Sequence, residues 1–226
     1  MRTLFKGGSV VSGKGVRRAD LLVEGEKVVS LGRGLRAEAD RIIDVAGCVL
    51  FPGFIDAHTH FDLEVAGTVT ADGFASGSRA ALRGGTTTVI DFACPDKGET
   101  LASGLGRWRE KAVGKTFCDY GFHMTIDDWN EGIRTELPAM FAQGVSSFKM
   151  YMTYPAMLLG DRDLYWALKE LKALGGVCGV HCENAGVIDG MIAEKKALGE
   201  LSPASHPETR PPYLEAAAVG RLLRIA

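Results

Sequence analysis

The segment Phe51-Pro-Gly-Phe-Ile-Asp-Ala-His-Thr-His60 ends an apolar run with two histidines two residues apart. On a strand, His58 and His60 project from one face. Two neutral imidazoles so placed can reach one metal ion. Taken alone, a His-x-His is more often a solvated or core-edge pair. Position at the end of an apolar strand favours the metal reading, because that is where a barrel carries its active site. Asp56, two residues earlier on the same face, either orients a ligand histidine or accepts from a backbone amide. Lys149 stands inside Val-Ser-Ser-Phe-Lys-Met-Tyr-Met, an unusual place for a residue rarely buried unpaired. Snorkelling from the strand end is the commoner explanation. The chemical one is a lysine whose pKa is lowered by a dry site and nearby cations. Its free amine could take up carbon dioxide as a carbamate, a carboxylate on a long arm that bridges two metals. His181 ends the run Val-Cys-Gly-Val-His. By itself it reads as a hydrogen-bonded structural histidine. Together with the others, it makes ligands arrive from separate strand ends. Tyr154, five residues after Lys149, could donate to a developing oxyanion or simply pack at a loop start. His123 and His206 read as structural.

These residues need elements to hold them. The first fifty residues alternate short β-like runs with glycine turns: 4–6, 9–11, 20–24, 27–31, 41–44 and 48–51. They predict a small antiparallel β module. After Pro52 the texture changes to strand-like runs at 53–60, 86–94, 118–126, 145–152 and 177–183. Helix-like stretches at 71–83, 100–115, 130–143, 161–174 and 185–198 separate them. Glycines at 84–85, 144 and 175–176 punctuate the helix ends. Strands alternating with helices imply parallel βα units. Near-continuous apolar strands such as Thr-Val-Ile-Asp-Phe-Ala imply a sheet covered on both faces. A doubly wound sheet and a (β/α) barrel both fit this pattern. The helix-like tail from Pro212 ends apolar and uncapped at Ala226, which reads as a sequence cut short.

The bulk composition narrows the class. The 226 residues are 46% apolar and 24% charged, with a net charge of −2. No basic face is implied, so nucleic acid is not an expected partner. No apolar run approaches the roughly 18 residues of a membrane span, and the start lacks the pattern of a signal peptide. Five cysteines without a CxxC pair predict reduced thiols and a cytoplasmic protein. Cys178 and Cys182 read as small buried residues rather than metal ligands.

Pro52-Gly-Phe-Ile-Asp-Ala-His-Thr-His60 resembles the signature of the amidohydrolase superfamily. Gly84-Gly-Thr-Thr-Thr-Val-Ile-Asp-Phe92, Ser147-Phe-Lys-Met-Tyr-Met-Thr-Tyr154, Val180-His-Cys-Glu-Asn184 and His206-Pro-Glu-Thr-Arg-Pro-Pro212 resemble the hydantoinase and dihydropyrimidinase branch. The resemblance covers essentially the whole chain. It implies an α/β fold: the first five βα units of a TIM-like barrel over 52–226, and the N-terminal part of a β-sandwich over 1–51. It implies two zinc ions, His58 and His60 on the more buried one, His181 on the other, and N6-carboxylated Lys149 bridging both. Tyr154 matches the tyrosine that polarises the substrate carbonyl. The implied reaction opens a hydantoin or dihydropyrimidine ring to an N-carbamoyl amino acid, in a homotetramer when full length. A further histidine and an aspartate that complete the pattern would lie beyond Ala226, so this chain alone is expected to be inactive. Its half-barrel should leave strand edges open. The stretch Phe-Asp-Leu-Glu-Val-Ala-Gly after His60 departs from the Met-Pro-Phe-like one common in the branch, which leaves the substrate open. Asp62 stands where an arginine would suggest dihydroorotase. An allantoinase-like ureide hydrolase and a non-catalytic scaffolding relative are the other readings, and retention of all four ligand positions argues against the latter.

Overall fold

The structure, a computed structural model, describes residues 1–65 and 67–226. The chain divides into two compact units, Met1–Phe54 and Ile55–Ala226.

The first unit contains β1 (Arg2–Lys6), β2 (Ser9–Ser12), β3 (Gly15–Arg18), β4 (Asp20–Glu24), β5 (Lys27–Gly32), β6 (Arg41–Asp44) and β7 (Val49–Leu50). They form one sheet in the order β5-β4-β1-β6 and another in the order β3-β2-β7. The expected all-antiparallel module is corrected here. β1 pairs in parallel with β6, and β2 in parallel with β7. The reason is that 1–12 and 41–50 run side by side from one sheet into the next. Val45 N donates to the Lys6 carbonyl and Ser9 N to that of Cys48, each across the turn where both segments change sheet. Gly7 takes φ +86° there, and a Cβ on Gly8 would meet Val45 Cγ2 at 3.0 Å. Leu4, Val10, Leu22 and Val45 are buried. So is Asp20, whose carboxylate accepts from the Gly7 and Leu35 amides; those bonds, Gly7 first, hold its pKa low. β3 was not foreseen. All its residues are exposed, so it carries no apolar alternation, and its pairing with β2 makes it a strand.

The second unit begins with β8 (Phe54–Thr59), β9 (Glu64–Val65), β10 (Thr68–Val69), α1 (Phe74–Arg83) and β11 (Thr86–Ala93). It continues through α2 (Leu101–Ala112), β12 (Asp119–Thr125), α3 (Glu131–Ala142), β13 (Ser147–Tyr151), α4 (Asp161–Ala173) and β14 (Val177–His181). Then follow α5 (Ala185–Ala197), the single turn α6 (Ser205–Glu208) and α7 (Pro212–Ile225). The main sheet runs β14-β13-β12-β11-β8. Spatial order follows chain order without reversal. A doubly wound sheet reverses at a switch point, so the order selects the barrel-like arrangement. The registered pairs β11/β12, β12/β13 and β13/β14 are all parallel.

Local chemistry explains the helix limits. Thr100 Oγ1 accepts from Ser103 N, and Asn130 Oδ1 from Ile133 N, which satisfies free amides at the starts of α2 and α3. α1 starts at Phe74, three residues later than its polarity pattern suggests, because the Asp62 carboxylate accepts the Phe74 amide. Gly85, Gly144 and Gly175 take left-handed φ at the helix ends, as foreseen. On the strands the period of two divides the sheet. Phe122, Met124, Phe148 and Met150 meet Leu105, Trp108, Leu137 and Leu164 of the helices in one apolar core. The opposite face holds the polar strand residues described next.

Candidate functional site

Phe92 organises the polar face of the sheet. Its ring lies 4.7 Å from that of His58, 4.8 Å from that of His60 and 4.8 Å from that of His123. The His58 and His60 rings are 5.1 Å apart, edge to face. Alternation along β8 thus brings both histidines to one face, as the sequence predicts. Lys149, on β13, pairs in register with Thr125 and Gly179, and His181 with Tyr151. The Lys149 ammonium acts on both His58 and His60, and His181 acts on His58. A cavity of about 260 Å³ is lined by His58, Phe92, His123 and Lys149.

The protonation tendencies agree with this crowding. Burial, then the Lys149 charge, lowers the His58 pKa although the residue is exposed on the open face. Burial, then His58, then Lys149 lowers that of His60. Burial lowers Lys149 itself, offset in part by Cys178 and Cys182. All three groups are therefore pushed toward neutral nitrogen donors. Among the described residues, His60 Nδ1 is buried without a hydrogen-bond partner. A buried imidazole nitrogen is costly to leave unpaired, and a metal ion is the kind of partner it accepts. The donor set fits a metal on that observation.

Tyr154 lies beside His181, with its hydroxyl 3.5 Å from Nε2. It holds φ +64°, a left-handed conformation that non-glycine residues adopt rarely. Strain of this kind concentrates at functional sites. Burial, then Glu183, raises the Tyr154 pKa, so the phenol keeps its proton at neutral pH.

The remaining expectations divide. Asp56 Oδ1 accepts from the His58 amide at 3.1 Å, the backbone role of the two left open. His123 has both nitrogens engaged, Nδ1 with Ser147 Oγ at 2.6 Å and Nε2 with the Ala57 carbonyl at 2.9 Å. His206 Nδ1 lies 3.2 Å from an Arg210 nitrogen at the entry to α7. Cys182 is part of the apolar core and Cys178 packs against it, as foreseen for small apolar residues.

Two partners escaped the sequence reading. Glu183 Oε2 sits 3.0 Å from His181 Nε2 and is itself approached by Arg210. Asp91, fully buried, accepts four hydrogen bonds near His60. Its place inside an apolar strand was the available signal. A second cavity, about 330 Å³, is lined by Leu63, Glu64 and Val65 from the loop after His60, with Trp108, Asp127 and Met157.

Residues 49–196 match the amidohydrolase family. The chain is 43% identical to the D-hydantoinase of Geobacillus stearothermophilus over 229 residues, covering 100% of this chain and 48% of that one. It is 38% identical to the dihydropyrimidinase of Rattus norvegicus, covering 100% of this chain and 45% of that one. The crystal structure of dihydropyrimidinase from Brevibacillus agri NCHU1002 superposes with a TM-score of 0.96 at 40% identity, again over all of this chain and 49% of that one. The chain spans about half the length of the curated relatives it matches. Its parallel sheet is the half-barrel of those structures. The chain belongs to the amidohydrolase family, and within it is similar to the N-terminal half of the hydantoinases and dihydropyrimidinases.

Proposed function

We propose that this chain carries one half of a metal-dependent site that hydrolyses a cyclic amide, opening a hydantoin or dihydropyrimidine ring to an N-carbamoyl amino acid. The observation that carries the reading is the meeting of His58, His60, Lys149 and His181 on one face of the sheet, with Tyr154 beside His181. The names of the similar proteins, D-hydantoinase and dihydropyrimidinase, supply the substrate class.

His58 and His60 would hold one zinc ion and His181 a second. Among the described residues, no three His, Cys, Asp or Glu side chains form a metal-binding group. Lys149, whose ammonium acts on both His58 and His60, would supply a further ligand. An ammonium only donates hydrogen bonds. The neutral amine favoured by burial would add to carbon dioxide, losing one proton and giving a carbamate, a carboxylate that could serve as a metal ligand. Bound there, the metal pair would supply Lewis-acid polarisation and a hydroxide nucleophile at neutral pH.

Tyr154 donates its hydroxyl proton in a hydrogen bond to the carbonyl oxygen as negative charge develops on it. Glu183 accepts from His181 Nε2–H, which leaves Nδ1 of that ring free to ligate. The ring opens by addition of one water across the amide C–N bond, its hydroxide to the carbonyl carbon and its proton to the leaving nitrogen. Residues 1–51 would be the N-terminal part of a β-sandwich and 52–226 the first half of the barrel. The complete protein would be a cytoplasmic homotetramer.

The test is ring opening of hydantoin and dihydrouracil by the complete protein and by Tyr154→Phe. Loss of one oxyanion donor should lower kcat by about 10²–10³ with zinc content unchanged. Full activity in Tyr154→Phe would remove the phenol from the reaction. No ring opening by the wild type would remove the substrate class.

A further inference from the structure

Asp91 lies on the helix-facing side of β11 and is fully buried. A carboxylate in that position is costly unless every lone pair has a donor. Its Oδ2 accepts from Thr59 Oγ1 and from Phe61 N, both at 2.8 Å. Its Oδ1 accepts from Phe92 N at 2.9 Å and from Trp108 Nε1 at 3.2 Å. The choice of partners is the informative part. Thr59 and Phe61 flank His60, one on each side. β8 ends at Thr59, so the Asp91 oxygen takes up the amide donor at the point where the strand stops. The other oxygen holds the amide of Phe92, whose ring stacks on His60 at 4.8 Å and 29°. Trp108, nearly buried on α2, anchors the carboxylate from behind, with Lys111 Nζ 4.5 Å over its ring.

We infer that Asp91 is a positioning residue for His60: one buried carboxylate ties down the Thr59 side chain before that histidine, the Phe61 amide after it and the amide of Phe92, whose ring stacks on it. The inference rests on the proposed metal role of His60. Outer partners of this kind set ring orientation, and their loss typically costs about 10–100-fold in metal affinity. Asp91→Asn keeps the size but turns an NH2 toward two donors, so half of the clamp opens. Thr59→Val removes one donor and keeps the shape.

The experiment compares wild type, D91N, T59V and L137A in the full chain. Leu137 is buried in α3 and makes none of the Asp91 hydrogen bonds, and L137A supplies plain core destabilisation. Two quantities are read: the His60 ring proton–carbon NMR signal in metal-free protein, assigned with His60→Gln, and zinc affinity by competition with a chromophoric chelator. D91N should shift and broaden or split the His60 signal and weaken zinc by about 10–100-fold. T59V should shift the signal in the same direction by less, and L137A should move neither quantity. The inference is overturned if D91N or T59V leaves the His60 signal as in wild type, or if L137A changes both readouts as much as D91N. If the wild type binds no zinc, the proposed metal function fails, and the His60 signal alone then decides the positioning role.

Discussion

Asp127 shows how one side chain's surroundings become a pH dependence. It is 6% exposed at the end of β12, and burial pushes its pKa up to about 6, with Asp128 and Asp96 adding to the shift and Lys97 opposing it. The folded pKa lies above the ordinary 3.8. The folded state therefore binds a proton that the unfolded chain releases. The favourable contribution is complete below about pH 3.8 and is lost as the pH rises through about 6. Asp127→Asn should consequently raise stability at pH 8 by an amount on the order of 2–3 kcal/mol. The gain should shrink toward zero near pH 4, as read by urea unfolding at several pH values. The residues most visible from sequence, His58, His60, Lys149, His181 and Tyr154, share a property: each is a polar type within, at the end of or just past an apolar strand. Asp91 had the same property and its part was still missed. Its role lies in Thr59, Phe61 and Trp108, partners that are 32, 30 and 17 residues distant. The Glu183 contact with His181 was missed for a different reason: a carboxylate two residues past a strand end gives no sign of which way it turns.

α2 carries a direct test of close packing. A Cβ on Gly104 would meet Pro95 Cβ at 2.8 Å and Pro95 Cα at 3.0 Å, whereas one on Gly106 would meet nothing within 4 Å among the described residues. Alanine in a helix interior is favoured over glycine by about 1 kcal/mol, and overpacking costs about 1–3 kcal/mol. Gly106→Ala should therefore stabilise by up to about 1 kcal/mol. Gly104→Ala should destabilise by about 1 kcal/mol, since the clash outweighs the propensity. Equilibrium unfolding of both variants would show opposite signs, and equal signs would contradict the close approach of α2 to the loop at Pro95. At this scale the sequence was legible where periodicity is strong. The five long strands and helices of the second unit lie within three residues of their expected ends. It was illegible for β3, β9, β10 and α6, which are short and lack an apolar face. The parallel pairing of β6 and β7 was hidden as well, because strand direction depends on a crossover that no local pattern records.

The second unit's sheet ends in β8 on one side and β14 on the other. Ile55 on β8 is 64% exposed and Val177 on β14 is 70% exposed, so both edges are apolar and open among the described residues. The open edges agree with the expectation of a half-barrel, and the matched relatives are about twice as long. Among the described residues, no helix is long and apolar enough to cross a membrane. The sequential strand order, read from the structure, resolved the choice between a doubly wound sheet and a barrel, which periodicity alone leaves equal. The central claim is that His58, His60, Lys149 and His181 hold a bridged metal centre. Elemental analysis of the purified complete protein, wild type beside Lys149→Ala, tests it most directly. The account predicts about two zinc ions per chain in the wild type and substantially fewer in Lys149→Ala. Equal metal content in the two proteins, or none in the wild type, would contradict it.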